Sequence, residues 1–207
     1  MSNFSSHYVS RAALKLEHAL REFHVDVRDR ICADFGCNVG GFTDCLLQHG
    51  AARVFAIDTG YGALHHRLRT DERVTVLERT NALHFDPLVQ FGADDAPFEG
   101  AHLVTIDLAW TPQRHAIPAA LRWLRADGRI ITLIKPHYEL TEAEKQTHLH
   151  EGRLDPQVAE QVLHRVLHAT PELGAMPLQH AQSPLTGSKS ARKGPGNVEY
   201  LALLKAR

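Results

Sequence analysis

The stretch "ADFGCNVGGFTDCLLQHGA", residues 33–51, decides the fold of this chain. The short apolar run at residues 31–35 predicts a buried strand. Gly40 and Gly41 then open a predicted helix, whose apolar residues share one face: Phe42, Cys45, Leu46 and Leu47. A glycine turn between a strand and a helix favours ligand binding, because glycine lets the backbone approach a ligand closely and the first N–H groups of a helix are free to bind it.

The spacing of the glycines narrows the choice of ligand. A dinucleotide fingerprint would have the pattern G-x-G-x-x-G, whereas Gly36, Gly40 and Gly41 give G-x-x-x-G-G, so a nicotinamide dinucleotide is disfavoured. A P-loop is excluded more firmly, because no Lys-Ser or Lys-Thr pair follows the glycines. S-adenosylmethionine, a nucleoside without a pyrophosphate, is the remaining common occupant of such a turn.

Length and composition predict one domain that spans residues 1–207. The chain has 43% hydrophobic residues and a net charge of −1, which argues against a general polyanion binder but allows a local basic patch. The N-terminus has no signal-peptide pattern, and no apolar run approaches the roughly 20 residues of a membrane span. Cys32, Cys37 and Cys45 match no zinc or disulfide pattern and are expected to be buried in a reducing compartment. We therefore expect a cytoplasmic protein without membrane contact.

Strand-like runs alternate with helix-like runs, which predicts an α/β fold with a mostly parallel, doubly wound sheet. An amphipathic helix is predicted from about Ser10 to Phe23, with Ser10 as its cap. Further helices are expected at residues 116–124 and 156–169. Strands are expected at residues 31–35, 53–58, 73–78, 101–107, 128–135, 176–183 and 198–204.

Four polar residues lie at or near the carboxyl ends of predicted strands: Asp34, Asp58, Asp107 and Lys135. Ligands of open α/β sheets bind outside these ends, so we expect the four side chains to converge on one crevice. Asp58 is placed to accept hydrogen bonds from both hydroxyl groups of a ribose. Asn81, just after the third strand, fits either an adenine contact or an ordinary turn residue.

Two other charged residues occupy unusual positions. Glu199 alternates onto the same face as Leu201 and Leu203, and because a buried charge is costly unless it is paired, we expect a lysine as its partner. Lys15 lies beside Arg11 on one flank of the first helix. Two cations four residues apart fit either a substrate contact or a solvated outer face.

Six motifs follow one another over about residues 8–204: "YVSRAALKLEHAL", "DFGCNVGGFTDCLLQHGA", "AIDTGYGAL", "VLERTN", "LIKPHYE" and "SPLTGSKSARKGPGNVEYLALL". In sequence and order they closely resemble the motifs of TlyA-like members of the FtsJ family of ribosomal RNA ribose 2′-O-methyltransferases. The resemblance implies a class I methyltransferase (Rossmann-like) fold with an antiparallel C-terminal strand, S-adenosylmethionine as the cofactor, and ribosomal RNA or a ribosomal subunit as the partner. It also implies that the helix at about residues 9–23 packs on the catalytic face.

The same resemblance implies a Lys-Asp-Lys-Glu tetrad at the reaction centre, formed by Lys15, Asp107, Lys135 and Glu199. Lys135 would either accept the proton of the ribose hydroxyl or stabilise the developing alkoxide as an ammonium, and the sequence leaves both roles open. The residues expected to bind the cofactor are Gly36, Gly40, Gly41 and Phe42 around its methionine and ribose portions, Asp58 on the ribose hydroxyls, Asn81 near the adenine, Asp107, and Asp34 because of its place near a strand end.

The expected RNA contacts depart from the pattern of TlyA-like proteins. The chain begins about fourteen residues before Lys15, where TlyA-like proteins usually carry a small RNA-binding domain, so we expect this domain's own surface or a partner to capture RNA. Trp110, in "DLAW" where the family has "DVSF", fits either a core aromatic or a stacking platform for a base. Arg11 is a further candidate contact. The loop at residues 186–197 fits either a phosphate-contacting arm or a solubilising loop, and its cations are Lys189, Arg192 and Lys193.

Two other functions stay open from the sequence. One is methyl transfer to a hydroxyl of a small molecule or another nucleoside, which the near-neutral charge suits. The other is a non-catalytic RNA-binding member of the fold. No metal site is predicted, because Glu160, His164 and His168 share a helical spacing without a further ligand set.

Overall fold

The computed structural model of the protein describes residues 7–91, 98–187 and 196–207. Its strands, in chain order, are β1 (Ile31–Phe35), β2 (Arg53–Ile57), β3 (Val74–Leu77), β4 (Ala101–Ile106), β5 (Leu124–Ile134), β6 (Leu149–His150), β7 (Arg153–Leu154), β8 (Ala175–Gln182) and β9 (Tyr200–Ala206). Strands β6 and β7 form a separate hairpin, and the other seven form one sheet in the order β3-β2-β1-β4-β5-β9-β8. Strands β1 to β5 run parallel, and β9 pairs antiparallel with both β5 and β8. This order confirms the mostly parallel sheet with an antiparallel C-terminal strand.

Helices cover both faces of the sheet, as predicted for a doubly wound fold. They are α1 (Ala13–Glu22), α2 (Gly41–Gln48), α3 (His66–Arg69), α4 (Pro87–Phe91), α5 (Gln113–Leu121), α6 (Glu142–His148) and α7 (Pro156–Ala169). Two cores result, because successive strand residues point to opposite faces. Phe35 of β1 joins the core under α5 and α7, whereas Cys32 joins the core under α1 and α2.

The first helix begins later than predicted. Residues 10–12 form a turn in which the Ser10 hydroxyl oxygen accepts a hydrogen bond from the Ala12 N–H at 3.3 Å, and the Ser10 carbonyl accepts one from the Ala13 N–H at 3.1 Å. The helix therefore starts at Ala13 without a side-chain cap. Helix α5 also lies earlier than the predicted 116–124, because β5 already begins at Leu124.

All three cysteines are buried and unpaired, as their spacing predicted. Burial raises the pKa of the Cys32 thiol to about 12. Across residues 7–91, 98–187 and 196–207, no helix is both long and apolar enough to cross a membrane.

Candidate active site

A cleft of about 880 Å³ lies at the carboxyl ends of the parallel strands. The pairing of strands explains its position, because Phe35 is aligned with Ile57 of β2 and with Ile106 of β4. The residues that follow these three strands therefore meet at one edge of the sheet. Side chains that line the cleft come from the start of α1, from the turns after β1 to β5, and from the segment before β9; they include Lys15, Asp58, Asn81, Asp107, Lys135 and Glu199.

The first ion pair in the cleft joins Lys135 to Asp107. The Lys135 Nζ lies 2.5 Å from the Asp107 Oδ1, and it also donates a hydrogen bond to the Leu108 carbonyl oxygen at 3.0 Å. The two charged side chains are 13% and 19% exposed, so they are shielded from bulk water but still reach the cleft. Lys135 thus has two acceptors, both on the segment that follows β4.

The second ion pair joins Lys15 of α1 to Glu199, which directly precedes β9. The Lys15 Nζ lies 2.5 Å from the Glu199 Oε2, and the two side chains are 11% and 4% exposed. The expectation that a lysine neutralises Glu199 is therefore confirmed. Because both residues line the cleft, the pair also brings the start of the chain and its last strand to the same site.

Two glycines hold parts of the backbone at close range beside the cleft. Gly36 has a φ of +85°, and a Cβ at this position would lie 2.6 Å from the Asp107 carbonyl oxygen. A Cβ on Gly41 would lie 3.0 Å from the Ala12 Cβ, so this glycine lets the start of α2 approach the turn before α1. Both glycines line the cleft, as does the buried Phe42.

Gly40 and Asp34 do not line the cleft, contrary to expectation. Gly40 precedes α2 in a left-handed conformation, and a Cβ there would lie 2.2 Å from the Leu68 Cδ1, so its role is to admit a packed side chain. The Asp34 carboxylate is fully buried and accepts hydrogen bonds from the Thr43 and Thr105 hydroxyls at 2.7 and 3.0 Å. Burial raises the pKa of Asp34 to about 7. These contacts tie the first strand to α2 and to β4 beneath the glycine turn.

Asp58 and Asn81 lie on the side of the cleft formed by the turns after β2 and β3. The Asp58 Oδ2 accepts a hydrogen bond from the Asn38 N–H at 2.8 Å, and its Oδ1 accepts one from the Gly60 N–H at 2.7 Å. Two backbone groups therefore fix the orientation of this carboxylate. The Asn81 Oδ1 accepts a hydrogen bond from the Leu83 N–H at 3.0 Å, which orients the amide in the turn.

Aromatic and basic side chains also line the cleft. Trp110 is 80% exposed, which excludes the core role that the sequence allowed, and its ring centroid lies 6.1 Å from that of Tyr138. Trp110 also has a φ of +54°, a conformation that is uncommon for a bulky residue. Arg11 is exposed and lines the cleft. The remaining predicted RNA contacts, Lys189, Arg192 and Lys193, lie outside the described residues.

Comparison with known proteins places this architecture in a family. The family model described as FtsJ-like methyltransferase matches residues 8–193. The chain belongs to this family. Among curated FtsJ-like relatives, "Putative rRNA methyltransferase YqxC" of Bacillus subtilis is 38% identical over 195 residues, which are 94% of this chain and 64% of the relative. The "16S/23S rRNA (cytidine-2'-O)-methyltransferase TlyA" of Mycobacterium tuberculosis is 37% identical over 97% of this chain and 69% of its own length. The chain thus spans about two thirds of the length of these relatives.

Solved structures share the fold of this chain. A "putative hemolysin" from Lactococcus lactis superposes with a TM-score of 0.83 at 34% identity, covering 97% of this chain and 89% of that chain. "M. jannaschii TYW2 in complex with AdoMet" superposes with a TM-score of 0.54 at 13% identity, covering 96% of this chain and 78% of that chain. At that identity the likeness concerns the fold, which is that of S-adenosylmethionine-dependent methyltransferases.

Some contributors to the site of this FtsJ-like protein were missed from the sequence. The Leu108 carbonyl and the Asn38 N–H are backbone groups, which any residue type supplies, so no residue pattern marks them. Tyr138 and Asn197 belong to the motifs "LIKPHYE" and "SPLTGSKSARKGPGNVEYLALL", but their residue types alone indicate no role. Asn197 is largely buried, and its side chain donates to the Gly152 carbonyl and accepts from the Leu154 N–H, which fixes the β6–β7 hairpin beside the cleft.

Within the described parts of the chain, no group of three or more His, Cys, Asp or Glu residues could hold a metal ion.

Proposed function

We propose that this protein is an S-adenosylmethionine-dependent ribose 2′-O-methyltransferase of ribosomal RNA. The observation that carries the proposal is that two lysine–carboxylate pairs, Lys15–Glu199 and Lys135–Asp107, line the same cleft as the glycine turn after β1. The name of the TlyA relative, at 37% identity, supports ribosomal RNA as the acceptor. The predicted cytoplasmic location fits such a substrate and stays a prediction.

The residues of the cleft fit the proposed cofactor. A carboxylate has about four acceptor positions. Backbone N–H groups use two of those of Asp58, which leaves acceptors for the two hydroxyls of a ribose. Gly36, Gly41 and Phe42 would lie beside the methionine and ribose portions, and Asn81 would lie near the adenine. Asp34 and Gly40 would act indirectly, by supporting the turn. The cofactor supplies an already activated methyl group on a sulfonium.

Lys135 is the residue that we assign to the acceptor hydroxyl. An ammonium has three N–H donors, and here two face Asp107 and Leu108, so one remains for the ribose oxygen. That arrangement favours an ammonium that stabilises the developing alkoxide over a neutral amine that accepts the proton. Release of the hydroxyl proton to solvent leaves negative charge on the ribose oxygen, and the positive charge of Lys135 would offset that charge until the oxygen bonds to the methyl carbon.

The other proposed contacts hold the RNA in place. The Lys15–Glu199 pair would position the ribose, since it lines the same cleft and its charges are mutually neutralised. Trp110 offers an exposed ring on which a base can stack, and Arg11 is placed for a phosphate. Lys189, Arg192 and Lys193 remain predicted phosphate contacts. Correct orientation is a large part of the catalytic effect in such a transfer, because the methyl donor is already reactive.

A methyl-transfer assay with mapping of the product tests the proposal. The protein is incubated with S-adenosylmethionine carrying a labelled methyl group and with ribosomal subunits, and 2′-O-methylated nucleotides are located by mass spectrometry. Lys135→Ala should lower the rate about 100-fold or more. Lys205→Ala, which changes an exposed lysine on β9, is the matched control and should leave the rate unchanged.

Two results would contradict the proposal in different ways. Label that reaches small metabolites but never RNA would identify a different acceptor. Full activity of the Lys135→Ala variant would show that the proposed reaction centre is wrong.

A further inference from the structure

Helix α5 begins without a cap from its own sequence. The residue that precedes the helix is Pro112, whose side chain has no acceptor, and no side-chain cap is formed there. Instead, the N–H of Gln113, the first helical residue, donates to the Glu139 Oε1 at 2.9 Å. Glu139 lies in the turn that follows β5, so the acceptor comes from a different segment. A carboxylate at a helix N-terminus is stabilising because it meets free N–H groups and the positive end of the helix dipole.

The Gln113 side chain binds β5, the strand that leads into the turn of Glu139. It is buried, its Oε1 accepts a hydrogen bond from the Thr132 hydroxyl at 2.7 Å, and its Nε2 donates to the Leu133 carbonyl at 3.4 Å. Gln113 therefore binds β5 through its side chain and binds the turn after β5 through its backbone. Lys135 lies between these two attachment points.

The connected segments are those that carry the Lys135–Asp107 pair. Asp107, Leu108 and Trp110 all belong to the five-residue stretch between β4 and Pro112. Lys135 begins the turn that leads to Glu139, and its carbonyl accepts a hydrogen bond from the Tyr138 N–H at 2.8 Å. The segments 107–113 and 135–139 are therefore joined at both ends. The Lys135–Asp107 ion pair joins their first residues, and the hydrogen bond between Gln113 and Glu139 joins their last residues.

We propose that Glu139 is a positioning residue for Lys135, and that it acts by capping α5 from the neighbouring turn. The role rests on the proposed function, and it assigns no contact between Glu139 and substrate. The carboxyl is partly buried and faces Arg114 of α5 and Arg165 of α7, and Arg165 donates to the Glu139 carbonyl at 3.3 Å. Burial raises the pKa of Glu139 to about 7, which means that its surroundings disfavour the charged carboxylate. The hydrogen bond from the Gln113 N–H is made in these surroundings.

Kinetic constants of two Glu139 variants test the role. Glu139→Ala removes the acceptor and should lower kcat about 10- to 100-fold, because displacement of a catalytic group by about 1 Å costs up to about 100-fold in rate. The dissociation constant for S-adenosylhomocysteine should change less than about twofold, since Asp58 and the glycine turn are not involved. Glu139→Gln keeps an acceptor oxygen and should restore most of kcat.

Asp155→Ala is the matched control. Asp155 caps α7 by accepting hydrogen bonds from the Gln157 and Val158 N–H groups at 2.8 and 3.4 Å, so its replacement removes a helix cap outside the cleft. This variant should keep the wild-type kcat when activities are compared at equal folded fractions. Equal losses of kcat in Asp155→Ala and Glu139→Ala would overturn the positioning role, as would the absence of rescue by Glu139→Gln.

A readout without turnover separates this proposal from the proposed function. The NMR signal of the Lys135 Cε methylene, recorded with carbon-13-labelled lysine, should shift in Glu139→Ala and stay in place in Asp155→Ala. An unshifted signal in Glu139→Ala would overturn the positioning role even if no RNA substrate is found. A wild-type protein that transfers no methyl group to RNA would instead overturn the proposed function.

Discussion

Among single residues, Asp34 makes the stability of the fold depend on pH, because its carboxyl group is buried. Its carboxylate is fully buried, its partners are the hydroxyls of Thr43 and Thr105, and burial raises the pKa from 3.8 to about 7, with the nearby negative charge of Asp107 acting in the same direction. The folded protein therefore binds this proton more tightly than the unfolded chain does. Its contribution to stability is complete below about pH 4 and is lost as the pH rises to about 7, at up to about 1.4 kcal/mol per pH unit.

Asp34→Asn should remove this dependence. The free energy of unfolding, measured by urea denaturation between pH 5 and 8, should fall less steeply with pH in the variant than in the wild type. Glu139, whose pKa is raised in the same direction, keeps part of the slope in both proteins. Asp155→Asn, which alters a carboxylate but keeps a good helix cap, is the control and should follow the wild type. An unchanged slope in Asp34→Asn would contradict the assignment.

The position of Asp34 also shows where residue-level prediction fails. Asp58, Asp107 and Lys135 each come directly after the last residue of a strand, so the prediction that they meet at the sheet edge is confirmed. Asp34 is the fourth of five residues in β1, and its direction is fixed by the pleat of the strand. It therefore shares the face of Cys32 and points under α2. The strand is predicted at the residues that form it, 31–35, so what the residue pattern leaves open is the face to which Asp34 points.

At the scale of elements, the glycine turn is the part of the site that the sequence specifies best. Gly36 is needed for two separable reasons: its φ of +85°, and the closeness of the Asp107 carbonyl, 2.6 Å from where a Cβ would be. Gly62 provides a comparison, because it has a φ of +72° but nothing within 4 Å of its Cβ position. Alanine at either position would strain the backbone, because both have a positive φ. Only at Gly36 would its Cβ also collide with neighbouring atoms.

Gly36→Ala should therefore be much more damaging than Gly62→Ala. The strained φ costs both variants about 1–2 kcal/mol, whereas Gly36→Ala must also displace the segment that carries Asp107. We expect a larger loss of unfolding free energy in Gly36→Ala, together with a loss of methyl transfer that Gly62→Ala does not share. Thermal unfolding and the labelled methyl-transfer assay measure the two effects. Equal losses in both variants would mean that the close approach at Gly36 is not important.

The ends of other elements were predicted less exactly. Strand β5 takes up residues 124–127, so α5 is shifted towards Gln113, and its cap comes from Glu139, 26 residues away. A cap supplied by a distant segment leaves no signal near the start of the helix. Ser10 had the side chain of a cap but uses it within a preceding turn. Periodicity predicted that these helices exist, whereas their ends depend on contacts between distant segments.

At the scale of the whole molecule, the Lys15–Glu199 pair joins the first helix to the last strand. The two residues are 184 positions apart, and each is at least 89% buried at the side chain. Removal of one partner would leave an unpaired buried charge, which typically costs about 3–5 kcal/mol. Replacement of both by apolar residues of similar size avoids that cost and is often neutral. The pair therefore allows stability and catalysis to be separated.

Glu199→Leu should lower the free energy of unfolding by about 3–5 kcal/mol, and the double variant Lys15→Met/Glu199→Leu should regain most of that loss. Methyl transfer to RNA should be lost in both, because neither retains the charges proposed to position the ribose. Lys145→Met, which breaks the exposed Lys145–Glu142 pair of α6, should cost less than about 1 kcal/mol and keep its activity. Urea denaturation and the transfer assay, compared at equal folded fractions, provide both measurements. If the stable double variant methylates RNA at the wild-type rate, the pair only joins the two ends of the fold, and the reaction centre reduces to Lys135 and Asp107.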